Sequence, residues 1–94
     1  MSLARQRIDV WLFRARFAKT RGAAARFVTE GSVRLLRDGS SRQLDRASIE
    51  VAPGDALTFR TGKQLRTVRI LELGERRGPV AEARALYEEI AEPA

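Results

Sequence analysis

The 94-residue chain has no cysteine and no histidine. Without them the usual zinc sites, Ser-His-Asp triads and thiolate nucleophiles cannot be built. Carboxylate chemistry stays formally open, but the only adjacent acids are Glu88 and Glu89, in a tail with helical periodicity where a solvated face is the simpler reading. No catalytic role, metal or cofactor is expected. Long apolar runs are also missing, and none approaches the ~20 residues of a membrane span. A secretory pattern is absent too, because Arg5, Arg7, Arg14 and Arg16 interrupt any apolar stretch near the N-terminus. A cytoplasmic location is expected, and the lack of cysteine agrees with it. Internal repeats, low-complexity segments and long linkers are likewise lacking.

What is present suits a folded domain: 44% hydrophobic and 32% charged residues. The length supports one modest core, so residues 1–94 read as a single domain. The net charge of +6 is unevenly spread. Residues 1–37 carry nine bases (Arg5, Arg7, Arg14, Arg16, Lys19, Arg21, Arg26, Arg34, Arg37) against Asp9 and Glu30, a balance of +7. Residues 80–94 carry Arg84 against Glu82, Glu88, Glu89 and Glu92, a balance of −3. A basic pole on a small domain points to a polyanion, which in the cytoplasm chiefly means nucleic acid. Arginine also suits bidentate contacts with phosphate.

The stretch Arg7–Val33 organises the rest. The spacing predicts a first helix from Arg7 to about Phe17, with Ile8, Leu12 and Ala15 on one face and Trp11 at its edge as a core residue. Arg7 and Arg14 fall on one flank, and Asp9 sits in the first turn, where the helix dipole favours an acid and where it can orient Arg7. Val10, Phe13 and Phe17 form a second apolar strip that another element has to cover. A second helix is predicted from Gly22 to Glu30, with Ala24, Phe27 and Val28 inward, Thr20 as N-cap and Gly31 as stop. Lys19 and Arg21 then stand at the positive end of a helix dipole, an arrangement that suits a bound phosphate.

Beyond Gly31 the pattern turns extended. Val33–Leu35 reads as a strand, Arg37–Ser41 as a turn or loop, and Ser48–Val51 as another extended piece. Ala52-Pro53-Gly54-Asp55 has the residues of a type II turn, with Gly54 and Asp55 architectural. Strands at 56–60 and 65–71 flank a hairpin at Thr61–Gln64, with Leu57, Phe59, Val68 and Ile70 inward and Arg66, Thr67 and Arg69 on the wet side or an edge. After the loop Gly74–Pro79, in which Arg76 and Arg77 are a possible second basic patch, a last helix is expected through about Glu92. Its stripe Ala83, Leu86, Tyr87 and Ile90 is the expected cover for Val10, Phe13 and Phe17.

Arg7-Ile8-Asp9, Leu12, Lys19-Thr20-Arg21, Ala24, Gly31-Ser32-Val33, Val51 and Gly54-Asp55 together resemble the S-four-type RNA-binding domain, or alpha-L motif, over residues 7–60. The flanking DVWLFRARFAKTR and RTVRILELGERRGPVAEARALYEE are similar to the heat shock protein 15 branch of that family. The resemblance implies an α+β fold, two N-terminal helices packed on a small, mostly antiparallel sheet, with residues 61–94 adding a strand and the C-terminal helix. It implies RNA contact through Arg7, Lys19, Thr20, Arg21, Arg14, Arg34 and Arg37. The implied partner is ribosomal RNA of the large subunit, in rescue of stalled subunits that hold a nascent chain on transfer RNA. No membrane or small-molecule substrate is implied, and a monomer is expected. The family usually has Asn-Gly in the turn read here at Leu36-Arg37, so a differently shaped hairpin is expected. The alternative is a protein-interaction module docking a partner through an acidic C-terminal helix. A DNA-binding regulator is disfavoured, since neither helix presents a polar base-reading face.

Overall fold

The computed structural model describes residues 4–31 and 33–90. After the short strand β1 (Gln6–Arg7) come α1 (Ile8–Arg14) and α2 (Arg21–Glu30). Then follow β2 (Arg34–Arg37), β3 (Ser40–Gln43), β4 (Glu50–Val51), β5 (Ala56–Thr61), β6 (Gln64–Ile70), α3 (Val80–Arg84) and β7 (Tyr87–Glu89). All pairings are antiparallel: β1 with β4, and a five-stranded sheet in the order β3-β2-β5-β6-β7. The fold is α+β, with the two N-terminal helices packed on one face of the sheet.

The core lies between these layers. Ile8, Trp11 and Leu12 of α1 and Ala24 and Val28 of α2 are buried against Leu35, Leu57, Phe59, Val68 and Ile70. Phe17 joins the two halves, its ring centroid 5.1 Å from Phe59 and 4.7 Å from Tyr87. Trp11 is fully buried and donates its indole N–H to the Glu72 carbonyl at 2.9 Å, as an indole in a core requires.

Several boundaries differ from the sequence expectation. The first helix stops at Arg14, and Arg16 turns into the left-handed region at φ 66°. Phe17 thereby leaves the helix and folds onto the sheet, where its aromatic contacts outweigh two more helical residues. The strip Val10, Phe13 and Phe17 is therefore not continuous. Tyr87 covers Phe17, as expected of the C-terminal segment, but from a strand, while Phe13 lies under the Arg77 guanidinium.

The last helix has only five residues. Tyr87 pairs with Ile70 and Glu89 with Val68, so residues 87–89 complete the sheet edge rather than extend the helix. Glu88 and Glu89 are not a wet helical face: they form ion pairs with Arg69 and Arg66. Glu92 lies outside the described residues. The acidic C-terminal helix of the alternative reading does not form over residues 85–90. Thr67, expected on the wet side, is buried and hydrogen-bonds Thr58 at 3.0 Å.

The first hairpin turns at Asp38-Gly39, inside the turn expected at Arg37–Ser41 and not at Leu36-Arg37. Both residues have positive φ, 52° and 79°, and Arg37 pairs with Ser40 across two turn residues, the geometry of a type I′ turn. Gly54, at φ 97°, accepts the type II turn foreseen for residues 52–55, closed by the Asp55 N–H on the Ala52 carbonyl at 3.1 Å.

Asp55 is the buried hinge of that corner. Its carboxylate accepts Arg37 Nε at 3.0 Å and Nη2 at 2.7 Å, and the Ala52 N–H at 2.9 Å. These bonds to Asp55 hold the Arg37 guanidinium above its ordinary pKa, against a smaller downward effect of burial. Asp55→Ala is expected to lower stability by about 1–3 kcal/mol, because the part-buried Ala52 N–H loses its acceptor while Arg37, a third exposed, can turn to water. In thermal unfolding that is roughly 4–8 °C per kcal/mol. An unchanged midpoint would show that the corner does not depend on this bidentate pair.

Candidate nucleic-acid interface

The sequence places Asp9 two residues after Arg7, and the first turn of α1 buries its side chain to 5% exposure. Arg7 Nε donates to Asp9 Oδ1 at 3.1 Å and Nη2 to Oδ2 at 2.9 Å. From the other helix, Arg21 Nη2 reaches within 4.0 Å of the same Oδ2. One buried acid thus aims two arginines, one just before α1 and one on α2, at one place, while both stay about half exposed.

Beside them, Thr20 caps α2: its Oγ1 accepts the Ala23 N–H at 2.9 Å and its carbonyl the Ala24 N–H at 2.9 Å. The amides of Arg21 and Gly22 have no intrahelical acceptor at such a position. No acid stands in the first turn of α2, so the helix carries no acid of its own to offset its dipole. Lys19 is exposed and immediately precedes the cap. The pole therefore brings Arg7 and Arg21 to one carboxylate, with exposed Lys19 next to the cap of α2, an arrangement electrostatically suited to an anion.

The other expected contacts lie elsewhere. Arg14 donates Nη1 to the Gly74 carbonyl at 2.8 Å, fastening the far end of α1 to the loop after β6. Arg37 is held by Asp55 and the Glu50 carbonyl. Arg34 is exposed, but its neighbours Val33 and Leu35 are buried in the core. Strand alternation therefore turns Arg34 to the sheet face away from the helices. Arg26 was not singled out from the sequence. Its Nη1 lies 3.8 Å from where a Cβ on Gly22 would stand, so it runs back beside the first turn of α2 and away from Glu30. The signal was the spacing Gly22 to Arg26, one helical turn with room left by the glycine.

The S4 domain model matches residues 6–35, the span holding Arg7, Asp9, the Thr20 cap and Arg21. Together with two helices on an antiparallel sheet, that sets the class: an S4-domain protein. The chain is similar to Heat shock protein 15 of Escherichia coli K12, 40% identical over 86 residues that cover 92% of this chain and 61% of the relative. It is 34% identical to the Heat shock protein 15 homolog of Haemophilus influenzae over 83 residues, covering 88% and 60%. The chain thus spans about three fifths of the length of these curated relatives. A structure of Vibrio cholerae Heat Shock Protein 15, described as trimeric, superposes with a TM-score of 0.80 at 35% identity, covering 94% of this chain and 84% of that one. The chain belongs to the heat shock protein 15 family.

Proposed function

We propose that this chain is a single RNA-binding domain, residues 1–94, that grips structured RNA mainly through phosphate. The observation that carries the reading is the convergence of Arg7 and Arg21 on buried Asp9 beside the unoffset N-terminus of α2. Lys19 and Thr20 belong to the same contact, and Arg26 adds a cation beside it. Arg14, Arg34 and Arg37 are secondary contacts at most, given their carbonyl and carboxylate partners or their place on the opposite sheet face.

Membership of the heat shock protein 15 family supports ribosomal RNA of the large subunit as the target, in rescue or recycling of stalled subunits that still carry nascent-chain transfer RNA. The domain acts as a monomer in the cytoplasm and performs no catalytic step itself. Its contribution is recognition.

The test is co-sedimentation of the purified protein with separated large subunits, small subunits and whole ribosomes across a salt series. Selective pelleting with the large subunit that persists at moderate salt is the expected result. Equal, salt-labile pelleting with every particle would reduce the pole to a general polyanion binder, since phosphate contact alone is steeply salt-dependent and carries no target preference.

A further inference from the structure

Arg16 and Arg77 lie outside the pole around Asp9. The left-handed turn at Arg16 is accounted for by Phe17, which it swings onto Phe59 and Tyr87. Glycine or asparagine would enter that region with less strain, so the turn alone does not explain an arginine. Of its guanidinium, only Nε has a protein partner among the described residues, the Gly78 carbonyl at 2.7 Å.

Arg77, next to Gly78, lays its guanidinium carbon 5.2 Å from the centroid of the Phe13 ring. Its Nε is buried without a hydrogen-bond partner. The Phe13 carbonyl in turn accepts the Arg16 N–H at 3.2 Å. Both arginines are thus gathered around Phe13 and the 77–78 peptide, with Arg14 fastened nearby to Gly74. The acids of this loop and helix are Glu75, exposed, and Glu82, which packs against Gly78 and is held by Arg76 at 3.0 and 3.2 Å. Arg14, Arg16 and Arg77 have no ion pair among the described residues.

We infer that Arg16 and Arg77, set by the Gly74–Gly78 loop on the end of α1, form a second phosphate contact for the same RNA. The two contacts stand at opposite ends of a seven-residue helix, about 10 Å long at its ordinary rise. A continuous polyanion fits this arrangement better than a compact acidic group, because the two contacts are separated by the length of α1. The inference rests on the RNA-binding reading above.

The experiment is titration of a labelled ribosomal RNA fragment across a salt series with wild type, the double variant Arg16→Gln/Arg77→Gln, and Arg60→Gln as an exposed arginine elsewhere. The double variant is expected to bind about tenfold or more weakly near 0.1 M salt and to lose roughly 1.4–1.8 from the slope of log K against log salt. Arg60→Gln is expected to match wild type. A folded double variant with the wild-type slope overturns the second contact and leaves the first standing. Absence of RNA binding by wild type overturns both. Should the double variant lose the near-ultraviolet signal of Trp11, phenylglyoxal modification of wild type decides. Protection of Arg16 and Arg77 by RNA supports the contact, and equal modification with and without RNA overturns it.

Discussion

Lys19→Gln/Arg21→Gln is expected to weaken binding to structured RNA about a hundredfold near 0.1 M salt. Two charge-assisted contacts at roughly 1.5 kcal/mol each account for that factor. The slope of log K against log salt should fall by about 1.4–1.8, since each lost phosphate contact returns its counterions to the RNA. Thermal stability should hold within a few degrees. Both residues are exposed, and Arg21 stands at 4.0 Å from Asp9, whereas that carboxylate takes its hydrogen bonds from Arg7 and the Val10 N–H. Asp9→Asn is the instructive contrast. It keeps every cation but loses the acid that aims them, so affinity should drop while most of the slope remains, and stability should fall. A double variant with wild-type affinity would remove the N-terminus of α2 from the interface.

Trp11→Ala should be the most damaging single change to the fold. The side chain is fully buried, lies 6.0 Å from Phe17 and 6.4 Å from Tyr87 between ring centroids, and satisfies the Glu72 carbonyl. Truncating a large buried aromatic typically costs about 3–5 kcal/mol. Against a usual domain stability of about 5–15 kcal/mol, that brings the chain close to unfolding at ordinary temperatures. Urea denaturation followed by far-ultraviolet circular dichroism measures it. Trp11→Phe should cost less, keeping most of the volume and losing the indole hydrogen bond. A cost below about 1 kcal/mol for the alanine variant would mean that the aromatic cluster repacks, contrary to its central position.

Much of the architecture could be read from local chemistry. Thr20 as cap, the type II turn at residues 52–55, and the inward set Leu57, Phe59, Val68 and Ile70 follow from hydrogen-bonding capacity, φ preference and period-two burial, which act within a few residues. The pole around Asp9 was legible in part, because an acid two residues from Arg7 in a first turn has few other partners. That Arg21 reaches the same carboxylate is a tertiary fact. Where the reading failed, a distant partner won. Residues 85–90 have a helical pattern, but hydrogen bonding to β6 and ion pairs with Arg66 and Arg69 draw them into a strand. Arg37 carries the same charge as Arg21, and only the fold reveals that Asp55, eighteen residues later, occupies it. The strand β3 was the avoidable miss, since Asp38-Gly39, inside the turn expected at Arg37–Ser41, is itself a strong hairpin signal and implies a returning strand.

Three side chains at the start of the molecule, Trp11, Arg14 and Arg16, donate to the carbonyls of Glu72, Gly74 and Gly78, across 61, 60 and 62 residues. During synthesis α1 emerges well before its fastenings, which do not exist until residues 72–78 have been made. With such long closures, the docking of α1 belongs late in folding. The arginines around α1 thus precede the loop that fixes them: a nascent copy that ends short of residue 78 carries them in a loose arrangement, and synthesis through that loop presents them as a fixed pattern.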